Sequence, residues 1–392
     1  MIYLTNKVNT SFTINDVIAL SKCGENLVVL YEQQATIPDE IKEKATFVRL
    51  LPLGDRFSLT FFISHIIDYI RFLVGIPLHD WKKIFRLGGF KELLINYQNA
   101  LHKSIELDEK VLRSEDTLLS FWFYDLIFPI ILKRSGIINT LIARSHRGDT
   151  YEGEIGVREL WLRNYQFEHT NVLYPISKHG AQFLKNLYPK YQYKIQPLYL
   201  GSSRLFEPTN ISTTTHRKTI VSCSWINNKK NVHLIPQLLK DSGIDFQWIH
   251  FGSGPKEWED RLNAAIDQAG IRGRINLMGN TPNSDIQRFY ADHRVDAFIS
   301  LSSTEGVPVS FMEALSYGIP VFATDVGGNQ EIITDYNGAL VPYNDGRVKS
   351  YIPAFISFMQ SEFDPMVIKN SWEDQFNIDV NNQVLLTGIK PN

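Results

Sequence analysis

The chain reads as an α/β protein of two Rossmann-like, doubly wound domains facing each other across a cleft. Three observations predict this. Short apolar runs alternate with helix-like segments along most of the length, the pattern of βαβ units whose parallel sheet is covered on both faces. A stretch poor in core residues, "GSSRLFEPTNISTTTH" at 201–216, splits the alternation into two series. And 392 residues, 44% of them hydrophobic, suffice for two ordinary globular cores.

The first series opens with a strand at 2–4, a helical run "INDVIALSKCG" ending at Gly24, and the near-continuous apolar strand "NLVVLYE". A helix-rich insertion is expected over about 55–112. "GIINTLIARSH" then carries a strand that stops at His146, and "NVLYPIS" carries another. Helical "KHGAQFLKNLYP" and the run "KIQPLYL" complete a first domain over 1–200. After the linker at 201–216 the alternation restarts: strand "KTIVSCS", helix "VHLIPQLLKDSG", strand "FQWIHFGSG", helix "WEDRLNAAIDQAG", strand "INLMG". It continues through helix "DIQRFYAD", strand "VDAFISLS", helix "PVSFMEALSYG", strand "IPVFATD", helix "NQEIITD" and "GALVP". The second domain is thus expected over 217–370, with a terminal helix at 371–392.

A net charge of −2 gives no electrostatic case for nucleic acid as a partner. The two cysteines, Cys23 and Cys223, form neither a disulfide framework nor a metal spacing, which fits a cytoplasmic setting. The opening "MIYLTNKVN" lacks the basic start and apolar run of a signal peptide. The most apolar window, 57–78, contains His65, Asp68 and Arg71, too much charge for the roughly 20 residues of a membrane span. A buried or interfacial helix is expected there. The next stretch, "HDWKKIFRLGGFKELL", mixes Lys82, Lys83, Arg86 and Lys91 with Trp81, Phe85 and Phe90. That mixture suits either a membrane-surface element or a solvated helix face.

Ligands of doubly wound sheets bind beyond the carboxyl ends of the strands, and four strand-to-helix turns of the second series carry suitable chemistry. In "SCSWINNKKNV", Lys229 and Lys230 precede a helix start, a setting for phosphate or simply a solvated lysine pair. In "HFGSGPKE", Gly252 and Gly254 permit close backbone approach and an anion-cradling turn, or a plain tight turn. In "MGNTPNSDI", the backbone of Asn280 and Thr281 could hydrogen-bond a nucleotide base, although the composition is also that of a capped loop. In "SLSSTEGVPVSFMEALSYGIPVFATD", Glu305 follows a strand and Glu313 lies in the next helix among Phe, Met, Ala and Leu. A buried carboxylate requires a partner. Glu313 suits the paired hydroxyls of a ribose. Glu305, beside the N–H groups of Gly306 and Val307 in a turn held by Pro308, suits sugar hydroxyls or a developing cation. The alternative reads Glu305 as a helix-leading charge and Glu313 as a solvated helix residue.

The fourth turn resembles the signature of family 4 glycosyltransferases, retaining enzymes of GT-B fold. Their Glu-x7-Glu pair lies inside E-G-x-P-x-x-x-x-E-A-x-x-x-G-x-P-V and is followed by a Gly-Gly turn, here Glu305, Glu313 and Gly327 with Gly328. The resemblance covers most of 217–345. "IARSHRGDTYE" is similar to the family's strand end with a histidine and an aspartate near the donor sugar, here His146 and Asp149. "WEDQFNIDVNNQVL" is similar to its terminal helix, which crosses back to the first domain.

The resemblance implies a donor site of Ser224, Lys229, Lys230, Gly252, Gly254, Asn280, Thr281, Glu305, Gly306, Val307, Pro308 and Glu313. Lys230 would neutralise the diphosphate, Glu313 hold the ribose, and Glu305 with the 306–307 N–H groups hold the transferred sugar. His146 would sit beside that sugar, although a lone histidine at a strand end is often only hydrogen-bonded structure. Two features depart from the family pattern. Ser224 and Trp225 stand where an arginine usually partners the lysine, and "TNKVNTSFT" lacks the Gly-Gly loop after the first strand.

The function implied is retaining transfer of a sugar from a UDP- or GDP-linked donor to a glycan or lipid-linked saccharide, in building cell-surface polysaccharide. No cofactor and no metal are expected: the sequence has neither an Asp-x-Asp turn nor a clustered His/Cys set. Front-face attack is favoured over double displacement, because cation stabilisers and phosphate binders are present without an evident nucleophile. Peripheral contact with the inner membrane face is expected from the basic and aromatic stretch. A nucleotide-sugar epimerase and a non-catalytic partner of a true transferase are the alternatives.

Overall fold

The computed structural model describes residues 1–8, 10–22, 26–107, 116–124, 126–153, 160–209, 217–345 and 347–387. The chain forms two compact units, Met1–Leu198 with Asn382–Asn392, and Tyr199–Asn381. Residues 210–216 of the expected linker, the expected helix end at Gly24 with Cys23, the end of the insertion near 112, and 388–392 of the tail lie outside the described residues.

Unit 1 opens with β1 (Ile2–Thr5), α1 (Ser11–Lys22), β2 (Val28–Tyr31), α2 (Asp39–Lys42) and β3 (Thr46–Arg49). Four helices follow: α3 (Leu59–Ser64), α4 (Ile66–Val74), α5 (Leu78–Arg86) and α6 (Phe90–Glu106). Then come β4 (Thr117–Ser120), α7 (Ile127–Arg134), β5 (Thr140–Ser145), α8 (Arg147–Thr150), α9 (Arg163–His169), β6 (Val172–Pro175) and α10 (Lys178–Leu187). The parallel sheet has the order β3-β2-β1-β4-β5-β6.

Two of these strands, β3 and β4, are not among the elements expected from the sequence. Each is four residues long, and β3 is a half-exposed edge strand without a continuous apolar run. The opposite holds for "KIQPLYL". It lies along β6 through Gln196 N–H to Leu173 O and Leu198 N–H to Pro175 O, with one bridge at Ile195, and goes no further. Pro197 has no N–H to extend a ladder.

Unit 2 contains β7 (Lys218–Cys223), α11 (Ile235–Asp241), β8 (Phe246–Phe251), α12 (Lys256–Ala269), β9 (Ile275–Leu277) and α13 (Asn283–Asp292). β10 (Ala297–Ser300), α14 (Val309–Ser316), β11 (Val321–Asp325) and β12 (Gly338–Pro342) complete the sheet, with order β12-β11-β10-β7-β8-β9. The expected helix "NQEIITD" is instead a 3-10 turn, Gly327–Glu331. α15 (Ile352–Gln360), α16 (Pro365–Phe376) and α17 (Ile378–Thr387) close the chain.

Alternate residues of the unit 2 strands serve opposite faces, as the strand period demands. Ile220, Ile299 and Phe322 belong to one core cluster, while Val221, Phe298 and Val321 belong to the other. In both sheets the strand order reverses once, between β1 and β4 in unit 1 and between β7 and β10 in unit 2. Those two switch points are where chain leaving neighbouring strands diverges and opens a crevice.

Candidate active site

The unit 2 switch point is built by the turns after β7 and β10. After β7, Asn227 Oδ1 accepts from the N–H groups of Lys229 (2.9 Å) and Lys230 (3.0 Å). Asn231 then takes left-handed backbone, φ 50°, and its amide donates to Leu301 O at 3.1 Å. Ser303 N–H donates to Lys229 O at 2.7 Å, tying the turn after β10 to the turn after β7. Across that junction Lys230 Nζ lies 2.6 Å from Glu305 Oε1 and 2.7 Å from Oε2. The carboxylate is largely buried and the lysine side chain half-buried.

The Gly-Gly turn explains why Glu305 sits so firmly. Gly327 has φ +55°, and a Cβ there would lie 2.0 Å from Glu305 O. A Cβ on Gly328 would lie 2.2 Å from Gly306 O, which accepts from the Gly328 N–H at 2.8 Å. Only bare backbone fits against the Glu305–Gly306 peptide. Val307 and Pro308 are buried behind it.

Glu313 projects from α14 and is 5% exposed, so the reading as a solvated helix residue is excluded. Its Oε1 accepts from Asn283 Nδ2 at 2.7 Å. Asn283 accepts in turn from Gln287 at 3.0 Å, whose Oε1 accepts from Tyr317 at 3.1 Å. Burial pushes the Glu313 carboxyl up to about 7, against the opposing pull of the Asn283 bond. Sequence reading missed Asn283; its only signal, an asparagine after a proline at a helix start, is indistinguishable from a cap.

The glycines of "GSG" do something other than cradle an anion with free N–H groups. Gly252 N–H donates to Gly279 O at 2.8 Å and Gly254 N–H to Glu259 Oε1 at 3.0 Å. A Cβ on either would meet Ser224 O or Ile226 O at 2.0 Å, so both are small because the 224–226 backbone passes over them. Ser224 is half-buried there, and Trp225 and Asn280 are exposed. Thr281 Oγ1 donates to Gly279 O at 3.2 Å.

In unit 1, His146 caps α8. Its Nε2 donates to Phe121 O at 2.9 Å, and its backbone carbonyl accepts from the Asp149 N–H at 3.2 Å. The ring packs 4.3 Å from Phe121 and 4.5 Å from Trp122. Burial and the Arg144 guanidinium lower its pKa to about 3, so it is neutral at physiological pH. Asp149 takes His146 N–H at 2.5 Å and Phe123 N–H at 2.7 Å, and burial raises it to about 6. This pair fixes the chain after β4. Around that chain, at unit 1's own switch point, opens a cavity of about 340 Å³ lined by Thr5, Lys7, Thr10, Thr13, Trp122 and Tyr124 among others.

No group of three His, Cys, Asp or Glu among the described residues is arranged to hold a metal.

Two parallel six-stranded sheets of this order form the architecture of GT-B glycosyltransferases. The Anabaena protein HepE, solved in complex with UDP, superposes with a TM-score of 0.70 at 12% identity over 99% of this chain and 98% of that one. Residues 206–371 match the family model of glycosyl transferases group 1. WcaL of Escherichia coli (strain K12), named for colanic acid biosynthesis, is 29% identical over 65% of this chain. That match spans 65% of the relative's own length. The amylovoran biosynthesis glycosyltransferase AmsK of Erwinia amylovora is 27% identical over 40% of this chain and 41% of its own.

Proposed function

We propose that the chain is a retaining, metal-independent glycosyltransferase of cell-surface polysaccharide synthesis. It moves a sugar from a UDP- or GDP-sugar to a glycan or lipid-linked saccharide, in peripheral contact with the inner membrane face. The observation that carries the reading is the Lys230–Glu305 pair at the unit 2 switch point, with Glu313 on the following helix. Relatives named for colanic acid and amylovoran synthesis support the pathway class, and a fold neighbour solved with UDP-glucose makes UDP-sugars the first donors to try.

An ammonium group has three protons to donate. Lys230 can therefore keep Glu305 and still neutralise a diphosphate. Glu305 and the 306–307 backbone face the sugar as its C1–O bond to phosphate lengthens and positive charge develops. The acceptor hydroxyl attacks C1 on the face the diphosphate is leaving, and its proton passes to a leaving phosphate oxygen. No protein nucleophile takes part. His146, neutral and bonded through Nε2 to Phe121 O, holds the Phe121–Trp122 turn rather than moving a proton. The unit 1 cavity, lined by threonine hydroxyls together with Trp122 and Tyr124, suits an acceptor sugar ring stacked on an aromatic face.

The test is incubation of the purified chain with UDP- and GDP-sugars, with and without a saccharide acceptor, in the presence of a chelator. Transfer with retained anomeric configuration is expected. An epimerised donor with no acceptor present, or no turnover of any donor, overturns the reading.

A further inference from the structure

The most apolar segment of the chain is only half used by the core. α3 and α4 run almost continuously, joined at His65, whose N–H bonds back to Phe61 O and whose carbonyl accepts from Asp68 and Tyr69. Along one stripe Phe62, Tyr69 and Phe72 face inward and pack with Tyr97 of α6. Along the other lie Leu59, Ile63, Ile66, Ile67, Ile70 and Val74, all exposed. Their spacing, at about 100° per residue, puts all six within an arc of about 100°. Val74 is 81% exposed and Ile63 and Ile67 are 61% exposed each. The apolar surface continues onto α5, where Leu78 is 73% and Phe85 67% exposed.

A helix apolar on both faces needs a second cover, and a contiguous patch of this kind marks an interaction site. The chemistry of the stripe says what the cover is. It is aliphatic throughout, without the Trp, Tyr and Arg anchors on which protein partners concentrate their binding energy. Leu, Ile, Val and Phe are instead the side chains most favoured in hydrocarbon. Exposed cations lie beside it: Arg71 borders the stripe, and Lys82 and Lys91 stand on α5 and α6. No helix among the described residues is long and apolar enough to cross a membrane, so the element can only lie along its surface.

We infer that the exposed face of α3 and α4, continued by Leu78 and Phe85, inserts into the acyl boundary of an anionic lipid bilayer. This deepens the membrane-contact part of the proposed function. It also centres the contact on the aliphatic stripe, with Phe85, Lys82 and Lys91 of the basic and aromatic stretch at its border. Trp81, Phe85 and Phe90 largely stack on one another, at ring separations of 5.5 to 6.2 Å.

The experiment is co-sedimentation of the full chain with vesicles of phosphatidylethanolamine and phosphatidylglycerol, at low and at 0.5 M salt (about a 4 Å Debye length,). The triple variant Ile63→Ser/Ile67→Ser/Val74→Ser and the single variant Val74→Ser are run alongside. Each aliphatic side chain removed should weaken partition by about five- to tenfold, so the triple variant should bind at least ~100-fold less and the single variant about five- to tenfold less. Because these positions are exposed, both variants should keep the wild-type melting temperature. Part of the wild-type binding should survive high salt, since insertion is not screened. Wild type that ignores the vesicles, or variants that bind as well as wild type, overturns the inference. So does a dimer that the triple variant dissolves without any vesicle binding, which would make the stripe a self-association surface. None of these readouts depends on sugar transfer, so this inference and the proposed activity can fail separately.

Discussion

Lys230 Nζ sits 2.6 and 2.7 Å from the two oxygens of Glu305, a pair formed between two turns that a backbone hydrogen bond, Ser303 N–H to Lys229 O, holds together. The pair gives the site a fixed cation beside a fixed anion before any ligand arrives. On the proposed reading, Glu305→Gln should lower kcat by about 10²–10³, the usual scale for one electrostatic stabiliser. Lys230→Ala should lower kcat by a comparable factor and weaken binding of the nucleotide sugar. Steady-state kinetics and calorimetric titration check both, and normal turnover in Lys230→Ala removes the diphosphate assignment.

Gly327→Ala changes no chemical group yet should be among the most damaging variants of the site. Its Cβ would sit 2.0 Å from Glu305 O, and the positive φ penalises any side chain besides. Either the Gly-Gly turn or the Glu305 peptide must move. Activity should fall at least tenfold, with stability lower by about 1–3 kcal/mol from local strain. Kinetics and thermal melts measured on the same preparation read both.

Glu313 gives the site a pH dependence whose sign can be stated. Its folded pKa, about 7, lies above the ordinary 4.5, so ionising it in the empty site costs stability as pH rises through that interval. Glu313→Gln should therefore stabilise the ligand-free protein at pH 8, by on the order of 3 kcal/mol, and make no difference near pH 4. Ribose hydroxyls bind best to the ionised carboxylate, so affinity for a UDP-sugar should rise between pH 6 and pH 8. That rise should vanish in Glu313→Gln. A flat wild-type profile removes the ribose assignment.

Arg144 and Asp16 anchor the end of the chain. Arg144 Nη1 lies 2.7 Å from both Asp16 oxygens, and Nη2 donates to Asn382 of α17 at 2.8 Å, all buried. Asp16→Ala leaves a buried guanidinium without its counter-charge. A loss of about 3–5 kcal/mol is expected in urea unfolding.

Trp122 should matter for the acceptor alone. Trp122→Ala should raise the acceptor KM severalfold while leaving the donor KM and donor hydrolysis unchanged, as loss of one stacking face would. Equal effects on donor and acceptor would place the residue in a general structural role.

Much of the site was legible because its constraints are local. Glu305, the turn glycine Gly306, Pro308 and Glu313 fall at one spacing on a strand, turn and helix that neighbouring residues specify, and Lys230 lies on the equivalent turn after β7. The need of a buried carboxylate for a partner was also readable; the partners were not. Asn283 for Glu313 is separated by thirty positions, Glu305 for Lys230 by seventy-five, and Asp16 for Arg144 by more than a hundred.

The sequence by itself determined two parallel α/β units and the order of most of their elements, and it singled out the acids and lysine of the candidate site, because hydrophobic period and turn chemistry act over a few residues. Tertiary structure alone decided the rest. It paired the short strands β3 and β4, turned the GSG glycines toward a crossing backbone, bonded His146 to Phe121, and left one face of α3 and α4 bare. Each of these depends on what lies opposite in space, and a hydrogen bond or a packed face has no signature in one strand of sequence when its other half comes from elsewhere in the chain.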